Sequence, residues 1–247
     1  MKLTEENLKE KEFHNTLQSK KRGRFENIFY KAIYNLNEDF FEYIEKHCKD
    51  KSLLDYGCGI GNAARKVVNF HPKKITGIDI SDVSIKKAID NSKNLDQRID
   101  YMVDNCENSN FKSETFDMVY GSGILHHLNM KKCLEEIHRL LKKDGELVFV
   151  EPLGTNPIIN LYRKLTPNSR SRDEHPLNNE DFVFLKQKYK DIKINYYGFF
   201  TLIFFPFYRN PKDSWFFNFF STMDKIFFKI KFLRFLAWSV LIVGKKN

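Results

Sequence analysis

The run Leu53-Leu54-Asp55-Tyr56-Gly57-Cys58-Gly59-Ile60-Gly61-Asn62 sets three glycines directly after a short apolar segment and directly before a stretch with helical spacing. Such an order reads as a strand, a tight turn and a helix, so the chain must hold at least one β-turn-α unit. Glycine suits that turn because side chains would keep a ligand off the backbone, and the amino terminus of the following helix favours a carboxylate or phosphate. Asp79 closes the next apolar run, 18 residues past Gly61, where a carboxylate can accept hydrogen bonds from a ribose diol. A nucleoside-containing ligand is the expectation.

The same alternation continues. Apolar runs at 53–56, 74–79, 99–103, 116–120 and 146–150 read as strands, and amphipathic stretches at 62–70, 83–91 and 130–141 read as helices. Strand and helix in turn predict an α/β fold, with a mostly parallel sheet of seven strands and helices on both faces. Two further strands are expected at 192–197 and 238–243, the roughly 40 residues between them being too long for a simple connection and therefore an insertion with its own structure. A Pro-punctuated segment at about 152–178, with Pro152, Pro157, Pro167 and Pro176, is read as irregular. It leads to a helix that Asn178 or Asn179 caps. Residues 1–24 read as a helix or arm, and Phe25, Ile28, Phe29, Ala32, Ile33 and Leu36 follow at helical spacing. The division expected is a helical cap over 1–50 and a catalytic-type domain over 51–247, with insertions at about 152–178 and 199–236.

The glycine spacing is G-x-G-x-G rather than the dinucleotide G-x-G-x-x-G, and Asp55 stands just before it. It is followed in order by Gly77-Ile78-Asp79-Ile80-Ser81, Val103-Asp104-Asn105-Cys106, Phe116-Asp117-Met118-Val119, Leu125-His126-His127-Leu128 and Leu140-Leu141-Lys142-Lys143-Asp144-Gly145. The whole resembles the class I S-adenosylmethionine-dependent methyltransferases of the type 11 group, over about residues 50–152. That resemblance implies a Rossmann-like fold, S-adenosylmethionine as cofactor with S-adenosylhomocysteine as product, and no metal. It implies that Asp55, Gly57, Gly59 and Gly61 line the methionine part and that Asp79 holds the ribose hydroxyls. Ile80 would pack on the adenine, Asp104 would meet the exocyclic amine with Asn105 beside it among the cofactor-binding residues, and Gly121 and Ser122 would close the pocket beside the sulfonium. Where the group more often has Asp-Ala-Glu, this chain has Asp104-Asn105-Cys106.

Methyl transfer to a hydroxyl needs alignment and a proton acceptor, and histidine suits the second task near neutral pH. His126 and His127 follow strand four at the carboxyl edge of the sheet, where open α/β folds bind ligands. Arg170-Ser171-Arg172-Asp173-Glu174-His175-Pro176-Leu177, with Glu151-Pro152-Leu153-Gly154 before it, is expected to wall the acceptor site, with Arg170 and Arg172 for an anionic acceptor and His175 or Glu174 as base. The candidate bases are thus His127, His175 and His126. His14, His47, His71 and His138 read as structural. The expected reaction is methylation, at oxygen, of a small or lipid-linked metabolite; the rival reading is a nucleotide- or partner-binding module that keeps the fold without transfer.

Charge is uneven. The chain carries 41 Lys and Arg against 32 Asp and Glu, yet residues 151–247 alone hold 16 basic and 8 acidic side chains. From Tyr197 to Trp238 there are 17 aromatics in 42 residues. Aromatics interleaved with Arg209, Lys212, Lys225, Lys229, Lys231 and Arg234 predict a surface for anionic lipid or a lid over a lipophilic acceptor. Nucleic acid is not expected, because no base-reading module accompanies the patch. Cys48, Cys58, Cys106 and Cys133 lack metal or disulfide spacing, and 13 charged or polar-rich opening residues lack a signal peptide's apolar core, so a cytoplasmic protein, peripheral at the inner membrane face, is the expected setting.

Overall fold

The computed structural model describes residues 3–19, 28–95, 98–166, 174–208 and 210–247. Seven strands, β1 (Ser52–Tyr56), β2 (Lys74–Asp79), β3 (Ile99–Val103), β4 (Phe116–Ser122), β5 (Leu141–Pro152), β6 (Tyr189–Tyr197) and β7 (Ser239–Lys246), form one sheet in the order β3-β2-β1-β4-β5-β7-β6. The first five are parallel, and β7 runs antiparallel between β5 and β6. Strand order reverses between β1 and β4, which opens a crevice at their carboxyl ends. The parallel strands β1, β2, β4 and β5 read as near-continuous apolar runs because both faces are covered, whereas the edge strand β3 is partly exposed.

Among the described residues the helices are α1 (Glu5–Ser19), α2 (Tyr34–His47), α3 (Asn62–Val67), α4 (Asp82–Ser92), α5 (Met130–Leu140), α6 (Pro157–Leu165), α7 (Asn179–Lys188), α8 (Phe200–Ile203) and α9 (Trp215–Phe227). Leu36, Phe40 and Ile44 of α2 with Ala64 and Val67 of α3 bury one face of the sheet. Cys133, Leu134, Ile137 and Leu140 of α5 with Phe182 and Leu185 of α7 bury the other. Ser81 caps α4 by accepting from Ser84 N–H at 3.0 Å, and Asn178 caps α7 in a reciprocal box with Asp181.

One expectation changes. The 152–178 segment is not irregular throughout: Pro157 sits in the first turn of α6, where its missing N–H costs nothing, and Asn156 accepts from Ile158 N–H and Ile159 N–H. Proline there marks a helix start. The aromatic insertion has its own structure, as its length predicts. Asp224 of α9 accepts from Phe200 N–H at 2.7 Å and Thr201 Oγ1 at 2.8 Å and so caps α8, while Phe217 and Phe228 turn inward. Trp215, Phe219 and Phe232 face outward. The insertion leaves and rejoins the sheet at Tyr197 and Ser239, which pair with each other, and Ser239 also pairs with Pro152 at the end of β5. The cap therefore stands at the edge where the crevice opens. Phe25 and Arg209 lie outside the described residues, as do Pro167 and Arg170 to Asp173.

Candidate active site

Gly57, Gly59 and Gly61 all adopt left-handed backbone, with φ of 72°, 52° and 79°. The reasons differ. A Cβ on Gly61 would lie 2.5 Å from Tyr101 Oη, so that glycine allows close packing, whereas a Cβ on Gly59 would meet nothing within 4 Å. Open space above Gly59, at the mouth of the β1 turn, is where a ligand can touch backbone. Asp79 closes this cradle. Its carboxylate accepts from Gly59 N–H and from Ser81 N–H, each at 2.9 Å, one bond per oxygen, and burial pushes its carboxyl above the usual range. Each oxygen keeps a lone pair for a diol.

Asp55 lies behind the loop, 2% exposed, accepting from Ala64 N–H at 3.1 Å at the start of α3. Desolvation pushes its carboxyl up to about 7 against the bond from Ala64, with the Asp79 charge adding to the rise. A cation near it would restore the ionised form. Ile80 is half-buried where β2 turns into α4, and Gly121 and Ser122 end β4, paired with Phe149 and Val150.

Asp104 does not face the crevice with a free carboxylate. It accepts from Asn105 N–H (2.9 Å), Asn110 N–H (3.0 Å) and Asn110 Nδ2 (2.9 Å), closing its own loop. Asn105 is tied as well, donating from Nδ2 to Asn7 Oδ1 at 3.2 Å.

The histidines rank differently in space than in sequence. Glu151, wholly buried at the end of β5, accepts from Ile124 N–H (2.9 Å) and Leu125 N–H (2.8 Å), and His126 Nδ1 lies 2.7 Å from its Oε2. A buried carboxylate claims the Nδ1 proton and leaves Nε2 as the acceptor nitrogen. His126 Cε1 sits 3.7 Å from where a Cβ on Gly123 would be, just past the rim residues Gly121 and Ser122. His127 instead reaches Glu10 of α1, Nδ1 to Oε1 2.9 Å. His175 points outward: its side chain is 61% exposed and its Nε2 is 3.1 Å from Asn178 Nδ2 at the cap of α7. Its neighbour Glu174 joins His126 and His127 instead, their donor atoms all within 4.8 Å of one another.

Glu10 stands outside every motif, Glu151 enters only as the first residue of the Glu151-Pro152-Leu153-Gly154 wall and without a role of its own, and His14, read as structural, lies at the site with its Nε2 3.0 Å from Glu10 Oε1. Glu151 had one signal, an acid ending an otherwise apolar strand. The two motif pieces Glu151-Pro152-Leu153-Gly154 and Glu174-His175-Pro176-Leu177 lie side by side: Gly154 N–H donates to Leu177 O at 2.8 Å, Leu177 N–H to Pro152 O at 3.1 Å, and His175 N–H to His126 O at 2.6 Å. They form one wall.

Residues 54–149 match the family described as "Methyltransferase domain". Strand order and the glycine cradle give a Rossmann-like sheet, and over the matched stretch the chain is similar to class I S-adenosylmethionine-dependent methyltransferase domains. Among curated relatives, the sterol 24-C-methyltransferase erg-4 of Neurospora crassa is 28% identical over 52% of this chain and 37% of its own. The probable S-adenosylmethionine-dependent methyltransferase CRG1 of Saccharomyces cerevisiae is 33% identical over 40% of this chain and 35% of its own. The chain thus spans less than half the length of these relatives. Among solved structures, geranyl diphosphate C-methyltransferase from Streptomyces coelicolor A3(2), in complex with Mg2+, geranyl diphosphate and S-adenosyl-L-homocysteine, superposes with a TM-score of 0.68 at 13% identity, covering 99% of this chain and 98% of that one. At that identity the likeness is one of fold.

Proposed function

We propose that this chain transfers a methyl group from S-adenosylmethionine to a small or lipid-like acceptor, with an acceptor hydroxyl deprotonated by His126. The observation that carries it is the buried Glu151–His126 pair placed just past the end of β4, at the same crevice as the open cradle above Gly59. The cradle fits the cofactor: Asp79 offers lone pairs to ribose hydroxyls, the Gly59 backbone leaves room for the methionine part, and Asp55 supplies a carboxylate behind it. Bound there, the cofactor supplies a methyl carbon already activated by its sulfonium. The protein's own share is alignment and proton removal. Glu151 fixes the His126 tautomer; His126 Nε2 takes the hydroxyl proton as the oxygen attacks; Glu151 then stabilises the imidazolium. Metal is not needed for this step.

Asp104 keeps a place in the proposal only as a support, because its loop, once closed by Asn110, shapes the adenine end. Residues 1–50 act as a helical cap on the domain formed by 51–247.

The acceptor side favours lipid-like molecules. On α6, Ile158, Leu161, Tyr162 and Leu165 share one face at helical spacing, and that face is turned to solvent, with Leu165 74% exposed. Phe232, also 74% exposed, and Phe235 are close by, since Thr155 Oγ1 bonds Phe235 O at 3.0 Å just ahead of α6. Exposed Lys164 on α6 and Lys231, next to Phe232, stand among them. An apolar stripe rimmed by cations suits the surface of an anionic bilayer, from which an acceptor could enter. No helix among the described residues is long and apolar enough to cross a membrane.

The test is turnover of labelled S-adenosylmethionine with hydroxylated lipid and small-metabolite fractions. Product formation that needs His126, with the label released as a methyl ether or ester, supports the reading. Transfer only to carbon or nitrogen, unaffected by His126→Ala, would remove the hydroxyl step.

A further inference from the structure

Helix α1 docks on the body with its polar side down. Asn7 and Glu10 are 4% and 9% exposed, whereas Leu8 is 52% exposed. Among the described side chains of this helix, the buried ones are polar. Its anchors are polar: Lys11 Nζ to Asp82 Oδ1 at 2.9 Å, Ser81 Oγ donating to Asn15 Oδ1 at 2.6 Å, and the Asn7 bond to Asn105 already described. At the centre of this face the Glu10 Oε1 is 3.0 Å from His14 Nε2 and 2.9 Å from His127 Nδ1. One donor atom from each residue falls within 4.8 Å of the other two.

We infer that Glu10, His14 and His127 form a binding site for a divalent transition-metal ion, which clasps α1 over the cofactor crevice. Two imidazoles and one carboxylate, converging from a helix and a loop, are a donor set that suits such ions rather than Mg2+ or Ca2+. The two distances from Glu10 Oε1, 3.0 Å to His14 Nε2 and 2.9 Å to His127 Nδ1, are close to the spacing of about 3.0 Å between neighbouring donors with metal-ligand bonds of about 2.1 Å, and the two imidazole donors lie within 4.8 Å of each other. Glu10 and His14, one turn apart on α1, are both brought to His127. The inference is independent of methyl transfer, since it needs neither cofactor nor acceptor. It does assign His127 to the clasp and leaves proton removal to His126.

Untagged protein stripped with a chelator and then dialysed against Mn2+, Co2+ or Zn2+, one at a time, tests it by elemental analysis. About one ion per chain should be retained, and Glu10→Gln, His14→Asn and His127→Asn should each weaken retention by about tenfold or more. The bound ion should also raise the melting temperature of the wild type and not of these variants. Wild type that retains no more metal than the triple variant would show a hydrogen-bonded cluster only and overturn the site. Retention that survives Glu10→Gln and His14→Asn but is lost in Glu174→Gln or His126→Asn would place the metal on the neighbouring trio and equally overturn it.

Discussion

Glu151 Oε2 lies 2.7 Å from His126 Nδ1, and the same carboxylate accepts the backbone N–H groups of Ile124 and Leu125. One buried acid thus both shapes the turn after β4 and sets the tautomer of the imidazole that follows it. Glu151→Gln keeps the size of the group but presents an amide to Nδ1, so turnover should fall by roughly a hundredfold while S-adenosylhomocysteine affinity stays nearly constant. His126→Ala should lose as much, and the double variant little more, because the two act as a unit. Steady-state rates with calorimetry check this; full additivity would separate the two residues.

Gly59 and Asp79 form the floor and side of the cofactor cradle. A Val at Gly59 finds open protein space but fills the ligand's place, so cofactor binding should vanish with a fall of only a few degrees in melting temperature from the strained left-handed backbone. Asp79→Ala should weaken S-adenosylhomocysteine by about 1 to 3 kcal/mol through lost hydrogen bonds to a charged group. Titration calorimetry reads both, and unchanged affinity in either would move the cofactor elsewhere.

Asp55 gives the protein a pH signature. Its carboxyl rises from an ordinary 3.8 to about 7 in the folded state. Between those values the folded chain keeps a proton that the unfolded chain has released, so this group's contribution to stability is full below about pH 4 and declines as pH rises toward 7. Denaturant unfolding across that window should show the decline, and Asp55→Asn should flatten it. The cationic cofactor prefers ionised Asp55, so its affinity should rise from pH 6 to 8 in the wild type and stay level in the variant.

The outward stripe of α6 should bind anionic vesicles. Each basic residue near such a surface contributes about 1 kcal/mol, and the buried apolar side chains add to it. Co-sedimentation with acidic-lipid vesicles at low salt should pellet the wild type. Leu161→Glu with Leu165→Glu, both at exposed positions, should release it without changing circular dichroism or cofactor affinity. A wild type that stays in the supernatant with acidic and neutral vesicles alike would remove the membrane contact.

Much of the fold is local in origin, and for that reason readable from sequence. The β1 run, the three glycines and Asp79 are tied together by backbone chemistry within 27 residues, so their spacing alone announces a nucleoside cradle, and alternating apolar runs announce a parallel sheet. Pro157 was misread because a proline that breaks a helix and one that begins it differ only in what precedes it, here the cap Asn156. The acceptor side depends on distance in space instead. Motif order could list His127, His175 and His126 as bases but could not say that Glu151, 25 residues beyond His126, would reach back to fix its tautomer, or that His175 would turn to solvent. Nor could it bring His14 from α1 to His127, more than 110 residues away. Hydrophobic period and glycine spacing encode which elements form and where backbone must approach a ligand. Which side chains converge is decided by how the sheet's order and its covering helices carry distant segments to one edge, and that information exists only once the chain has packed.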